Sequence, residues 1–155
     1  MHIPARVKSV IIEGKGRALI ANRSFKKGEA ILPLKGIIRK YSEATSYAVQ
    51  LGRDKFIDTS HRCVEDYTNH GCNPTLKIDF ERMKFVALRD IKKGEELTYN
   101  YLSTEYDLVR DRLDFDCRCG GKNCLGQIKG FKFLSKSQKM RLKPLLSPFL
   151  RKKLG

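Results

Sequence analysis

The feature that most constrains this chain is a division of cysteines. Cys117, Cys119 and Cys124 follow a C-x-C-x4-C spacing and lack a fourth member, while Cys72 stands alone in Asn69-His70-Gly71-Cys72-Asn73-Pro74. Three plus one makes the all-cysteine tetrahedral set that closes a structural zinc site. Such a site ties the C-terminal third of the chain back onto a turn near its middle. Cys63 is then left over as a buried or idle thiol. Gly71 frees the backbone for positive φ beside the amide and imidazole, and Pro74 fixes the exit.

At 155 residues the chain is expected to form one domain with a core that needs no disulfides. No apolar run approaches the ~18 residues of a membrane span, and Met1 to Arg6 has no secretory pattern. The expectation is an intracellular protein, in which clustered cysteines read as metal ligands. Charge is unevenly placed. Of the 32 Lys and Arg, eleven follow Cys117, and none of the 17 acids does. A basic segment of that kind, here 129–153, is either a solvated face or a contact for nucleic acid.

The hydrophobic pattern is mainly β. Val7 to Ala21 reads as two short strands around Glu13-Gly14-Lys15-Gly16-Arg17. Arg23-Ser24-Phe25-Lys26-Lys27-Gly28-Glu29 is echoed by Arg89-Asp90-Ile91-Lys92-Lys93-Gly94-Glu95, one strand–turn–strand device used twice. A strand pair is expected over Ile31 to Ile38, a hairpin over Tyr47 to Asp58, and strands at Leu76–Phe80, Phe85–Leu88 and Leu97–Leu102. A short helix is expected over Thr104 to Leu113. Near the end, Ser135-x-x-Gln138 is a capping box, Pro144 halts its helix, and Ser147-Pro148 opens a last turn. The stripe Leu142, Leu145, Leu146, Phe149 and Leu150 should dock this tail on the rest.

Gly14-Lys15-Gly16, then Asn69 to Pro74, then Gly94-Glu95-Glu96-Leu97-Thr98-Tyr99-Asn100-Tyr101, then the cysteine triplet, stand in an order that resembles the SET-domain protein-lysine methyltransferases with a post-SET zinc segment. The likeness spans Val7 to Gly126 and is similar to the small SET proteins of bacteria and viruses. It implies several short sheets with a pseudo-knot, a SET domain over 1–113, a zinc segment over 114–130 and a tail over 131–155. It also implies S-adenosylmethionine held by Lys15, Gly16, Arg17, Tyr47, Asn69, His70 and Leu125. Tyr101 would be catalytic and Tyr99 would set product state in the lysine channel. Zinc would be bound by Cys72, Cys117, Cys119 and Cys124.

The reaction so implied is methylation of a lysine on a histone-like, DNA-packaging protein, to the mono- or dimethyl state. The alternative is an inactive SET-fold zinc module that binds nucleic acid or a chromatin-like partner. Four positions depart from the family pattern: Asp66 where Arg is frequent, Gly71 for Ser, Thr75 for Asn, and Asn100 for Asp. Asp66 and Asn100 together read as a changed structural contact.

Overall fold

The computed structural model describes residues 1–59 and 61–154. Strands β1 (Val7–Ile12) and β2 (Gly16–Ala21) form an antiparallel hairpin in which Ile12 faces Gly16. Gly14 and Gly16 carry the positive φ angles, 77° and 83°, that this tight connection demands. Strand β3 (Ala30–Pro33) joins β9 (Lys84–Ala87) and β8 (Leu76–Asp79), with β9 central. A second three-stranded sheet has the order β4 (Ile37–Arg39), β6 (Lys55–Asp58), β5 (Val49–Gly52). Two-residue pairs complete the list: β7 (Asn69–His70) runs parallel to β10 (Thr98–Tyr99), and β11 (Phe115–Asp116) antiparallel to β12 (Gln127–Ile128).

The two echoed segments lie against each other. Phe25 and Ile91 exchange both backbone hydrogen bonds, at 2.8 and 2.9 Å. Each copy closes its turn with the same ion pair, Arg23–Glu29 and Arg89–Glu95. Each glutamate also accepts a backbone N–H, from Lys26 and Lys92 respectively. The repeated sequence thus builds a local pair whose apolar members, Phe25 and Ile91, are both buried. Around them a continuous core takes in Leu19, Ile31, Leu32, Leu76, Phe85 and Leu97.

Three expectations are corrected. Ile31 to Ile38 does not fold as a pair: β3 and β4 join different sheets, and Gly36 passes so close to the Asp58 carbonyl that a side chain would collide with it. The strand from Leu97 ends at Tyr99, because the Asn100 side chain accepts the Leu102 N–H at 3.0 Å and turns Tyr101–Ser103 into a 3-10 helix. Thr104 to Leu113 forms turns rather than a helix. Three of its backbone groups are taken by the later chain: Leu108 N–H donates to the Lys129 carbonyl, while Glu105 and Tyr106 carbonyls accept from Phe131 and Lys132. Tertiary pairing outweighs local helix preference there.

The tail docks. Helix α1 (Lys136–Leu142) opens with the Ser135–Gln138 capping box, and α2 (Pro148–Arg151) is capped by Ser147. Leu146 and Leu150 are buried with Phe131 in a small core of their own. The buried Ser147 N–H donates to the Ser103 carbonyl at 2.8 Å, joining tail to turn.

Candidate active site and metal centre

The parallel pairing of β7 with β10 brings the two richest motifs together, aligning Asn69 with Thr98 and His70 with Tyr99. Gly71 has no positive φ; the expected reason for a glycine is replaced by another. A Cβ there would stand 2.6 Å from Thr98 Oγ1, so the close approach of the strands excludes a side chain.

A cavity of about 380 Å³ opens beside this junction. Tyr47, Tyr67, Phe85, Tyr99, Tyr101 and Phe115 supply its aromatic walls. Tyr101 is fixed at three points. Its N–H donates to His70 Nδ1 at 3.1 Å, its hydroxyl donates to the Thr68 carbonyl at 3.0 Å, and its ring lies 4.8 Å from that of Tyr99. The ring contact with Tyr99 comes from the 3-10 turn, not from the strand alternation that the sequence predicts. Burial raises both phenols above their ordinary pKa, so both remain protonated donors. Asn100, by capping the turn, aims Tyr101. Asp66 instead receives the Cys63 N–H at 2.7 Å and the Thr59 hydroxyl at 3.0 Å, so the two departures make separate local contacts.

Of the other residues singled out, Arg17, Tyr47 and Asn69 line the cavity with Tyr99 and Tyr101. Asn69 Nδ2 donates to the Arg17 carbonyl at 3.0 Å, linking β7 to β2. Lys15 is turned to Glu96, at 2.8 Å, in a neighbouring cleft. Gly16 leaves open space where a Cβ would be. His70 is engaged on both nitrogens, since Nε2 lies 3.3 Å from Cys72 Sγ. Burial lowers its pKa to about 4, and it is a neutral link between Tyr101 and the thiols. Leu125 packs with Leu102, Leu108 and Ile128, beside Cys72 and Cys117.

The cavity also holds groups that sequence patterning passed over. Arg62 lies over the Tyr47 ring at 4.5 Å, and Arg17 over Tyr67 at 5.2 Å. Thr68 Oγ1 is buried with no hydrogen-bond partner among the described residues, an orphaned donor in the cavity wall. This mixture of cations, an orphaned hydroxyl and aromatic faces fits a ligand with both carboxylate and ring parts, as S-adenosylmethionine has. Glu105, expected on a helix, lines the same wall. Its spacing of four from Tyr101 was the one available signal.

The four cysteines converge. The thiol sulfurs of Cys72, Cys117, Cys119 and Cys124 all lie within 4.8 Å of one another, and Cys72 and Cys117 are 3.8 Å apart. A tetrahedron with Zn–S bonds of ~2.3 Å has edges of about 3.8 Å, the separation of Cys72 and Cys117, so the four thiols form a group that could hold a metal ion such as zinc. Backbone N–H groups of Leu125 and Gly121 turn toward Cys72 and Cys119, the donors a bound thiolate requires. Cys63 stands apart, its sulfur near the His61 carbonyl.

Comparison with known proteins agrees with this geometry. Residues 16–102 match the SET domain family. The chain is 31% identical over 139 residues to the histone-lysine N-methyltransferase ASHH3 of Arabidopsis thaliana, covering 77% of this chain and 37% of that protein. It is 44% identical over 66 residues to the methyltransferase flvH of Aspergillus flavus, covering 41% and 35%. It spans little more than a third of the length of these two relatives. Among solved structures, KRYPTONITE in complex with mCHG DNA and SAH superposes with a TM-score of 0.65 at 22% identity, over 78% of this chain and 28% of that one. The matched segment begins at the glycine turn and ends just past Tyr101, enclosing the paired motifs and most of the aromatic cavity, and the chain belongs to the SET domain family.

Proposed function

We propose that the chain is an S-adenosylmethionine-dependent protein-lysine N-methyltransferase, acting on a histone or similar basic protein and stopping at the mono- or dimethyl state. The observation that carries this is Tyr101, a buried, protonated phenol held against Tyr99 in an aromatic cavity beside Asn69. ASHH3 is itself named a histone-lysine methyltransferase, and a second structural relative is KRYPTONITE with a histone H3 peptide and SAH. Asn69 and its neighbours in the cavity wall would hold the cofactor, which when bound supplies an electrophilic methyl group on a sulfonium. Tyr101 and Tyr99 would orient the lysine amine for in-line displacement, so positioning supplies much of the rate. Their rings exclude water and favour the neutral amine over the ammonium.

The remaining parts follow from the same reading. Residues 1–113 form the catalytic unit, with the paired β7 and β10 segments as its pseudo-knot. Residues 114–130 form a post-SET segment closed by zinc on Cys72, Cys117, Cys119 and Cys124. Residues 131–155, of which Gly155 lies outside the described residues, form a basic tail whose lysines meet DNA or RNA bound to the substrate. Tritium transfer from labelled S-adenosylmethionine to core histones, with and without DNA, tests the reading. Transfer to a histone lysine is expected. Cofactor binding without transfer to any protein in a lysate would refute the enzyme and leave a binding module.

A further inference from the structure

Glu105 is a carboxylate whose charge neither the fold nor the reaction so far employs. Its N–H donates to the Tyr101 carbonyl at 2.8 Å, so a single turn links the two residues, and both side chains line the same cavity. Its carbonyl accepts the Phe131 N–H at 2.9 Å, and Oε1 accepts the Gln50 N–H at 3.0 Å, which fixes both backbone and side chain. The side chain lines the cavity with Tyr99 and Tyr101 and is half-buried. Accepting the Gln50 N–H and the Thr104 side-chain hydroxyl needs no charge; a glutamine oxygen would serve.

The charges around it leave it unneutralised. Asp111, on the following turn, is of like sign and raises its pKa, as burial does more strongly, to about 7. Tyr99 and Tyr101 face it from β10 and the turn after it, and its charge raises both phenols. The cations of the cavity are engaged elsewhere: Arg17 and Arg62 on the Tyr67 ring, Lys35 with Glu65 at 3.3 Å. Asp66, across the cavity, is held by Cys63 and Thr59.

We propose that Glu105 is the counter-ion and proton acceptor for the substrate lysine, a role that rests on the methyltransferase reading above. A lysine arrives as an ammonium of pKa ~10.4, without a lone pair to give. Paired with Glu105, one ammonium N–H bond breaks as the Glu105 O–H bond forms. Between dry walls a neutral amine beside a neutral acid is cheaper than two separated charges. The freed lone pair then makes the N–C bond as the methyl–sulfur bond of S-adenosylmethionine breaks, sulfur keeping that pair. The methylated nitrogen takes over the positive charge, and the Glu105 proton returns to water as the product leaves.

Glu105→Gln is the informative variant, because its amide oxygen keeps an acceptor for Gln50. Transfer from labelled S-adenosylmethionine to core histones and to a lysine-rich peptide pool is followed from about pH 6 to about pH 9. In the wild type kcat/KM should fall as pH drops through about 7, where the carboxylate takes up its proton. The variant should lose that limb and about 10²-fold or more in kcat/KM. Calorimetry should show weaker peptide binding to the S-adenosylhomocysteine-loaded variant, with the affinity for S-adenosylhomocysteine itself unchanged. A variant with wild-type rate and pH profile overturns the proposal, as does one whose main loss is cofactor affinity. A second readout needs no variant: the ¹³C carboxyl shift of Glu105, titrated with and without the peptide pool, should move on binding, and an unmoved titration also overturns it. A wild type that binds S-adenosylmethionine but methylates neither substrate refutes the underlying enzyme reading, a result distinct from an active Glu105→Gln.

Discussion

The chain up to Asp114 and the chain from Phe115 onward hold short, irregular elements together by different means. In the first, strands of two to six residues share one continuous apolar core, with Leu19, Leu76 and Leu97 wholly inaccessible to solvent. Its acids and bases nearly balance. In the second, β11 and β12 are two residues each, the apolar clusters it joins have three buried members apiece, Leu102 and Leu108 of one coming from the first part, and no acid follows Asp116. Like charges there repel, and so small a core cannot offset the conformational entropy of ordering the segment. A metal ion held by the four thiols, as proposed above, would supply what the core does not. The active-site cavity draws on both parts, since Phe115 packs at 6.0 Å against Tyr101 while Tyr101 itself hangs from His70, which touches Cys72.

Breaking the metal site should therefore have the largest effect, and on one side only. Cys119→Ser should reduce bound zinc from about one ion per chain to almost none and disorder the segment from Asp116 to Lys129. Hydrogen exchange should rise steeply there and stay low in β3, β8 and β9. Metal analysis checks the first part, and Cys63→Ser is the control that should keep its zinc. If chelation unfolds the sheets together with the segment, the two parts are one cooperative unit and the contrast fails.

Tyr101→Phe sharpens the same contrast from the catalytic side. It removes a hydroxyl, keeps the ring contacts with Tyr99, His70 and Phe115, and leaves both anchoring systems intact. Methyl transfer should fall by about 10²- to 10³-fold, the usual loss for one preorganised donor. Cofactor affinity by calorimetry should change little. Near-wild-type turnover would make the hydroxyl a structural bond to Thr68 and nothing more.

Packing substitutions rank third. Leu76→Ala, in the shared core, should cost about 3–5 kcal/mol of global stability. Leu150→Ala, in the tail's small core, should cost about 2–3 kcal/mol and free the tail locally before the sheets unfold. Denaturant melts of the two variants, with exchange read at Ser147, distinguish global from local loss.

What sequence could reveal follows the same division. Hairpins with glycine turns were legible because the turn residues leave little choice, as in β1–β2 and β5–β6. The tail's caps were legible for the same local reason. The cysteine cluster was legible through ligand arithmetic. Failures came where distant chain sets local structure: Leu108 N–H and the Glu105 and Tyr106 carbonyls bond to residues 129–132, and no local pattern records that. The repeated Lys-Lys-Gly-Glu turns were visible, but not that Phe25 and Ile91 would pair. In the cavity, Thr68 and Arg62 escaped notice because nothing in their spacing distinguishes a wall residue from a solvated one, and Glu105 because its spacing of four from Tyr101 suits a solvated helix face equally well.

The smallest expected effect is on product state, and it rests on the aromatic wall alone. Tyr99 is buried, packs edge-on to Phe85 at 5.3 Å, and meets Tyr101 at 4.8 Å. Its phenol stays protonated, because burial pushes its pKa well above the ordinary value. The protonated Tyr99 hydroxyl, bonded to the Thr104 side chain, is placed to hold the amine or an ordered water as well. Each further methylation must turn a bulkier nitrogen into line and displace that water. Tyr99→Phe removes the hydroxyl and the water's anchor while keeping the ring and its packing. The trimethyl share should rise about tenfold relative to mono- and dimethyl-lysine, the equivalent of ~1.4 kcal/mol in relative barrier. Overall turnover should stay within a few-fold of wild type. Mass spectrometry of the modified peptide reads the ratio directly. Abundant trimethyl-lysine from the wild-type protein, or an unchanged ratio with a lower melting temperature in the variant, would make Tyr99 a core residue and leave product control to another part of the wall.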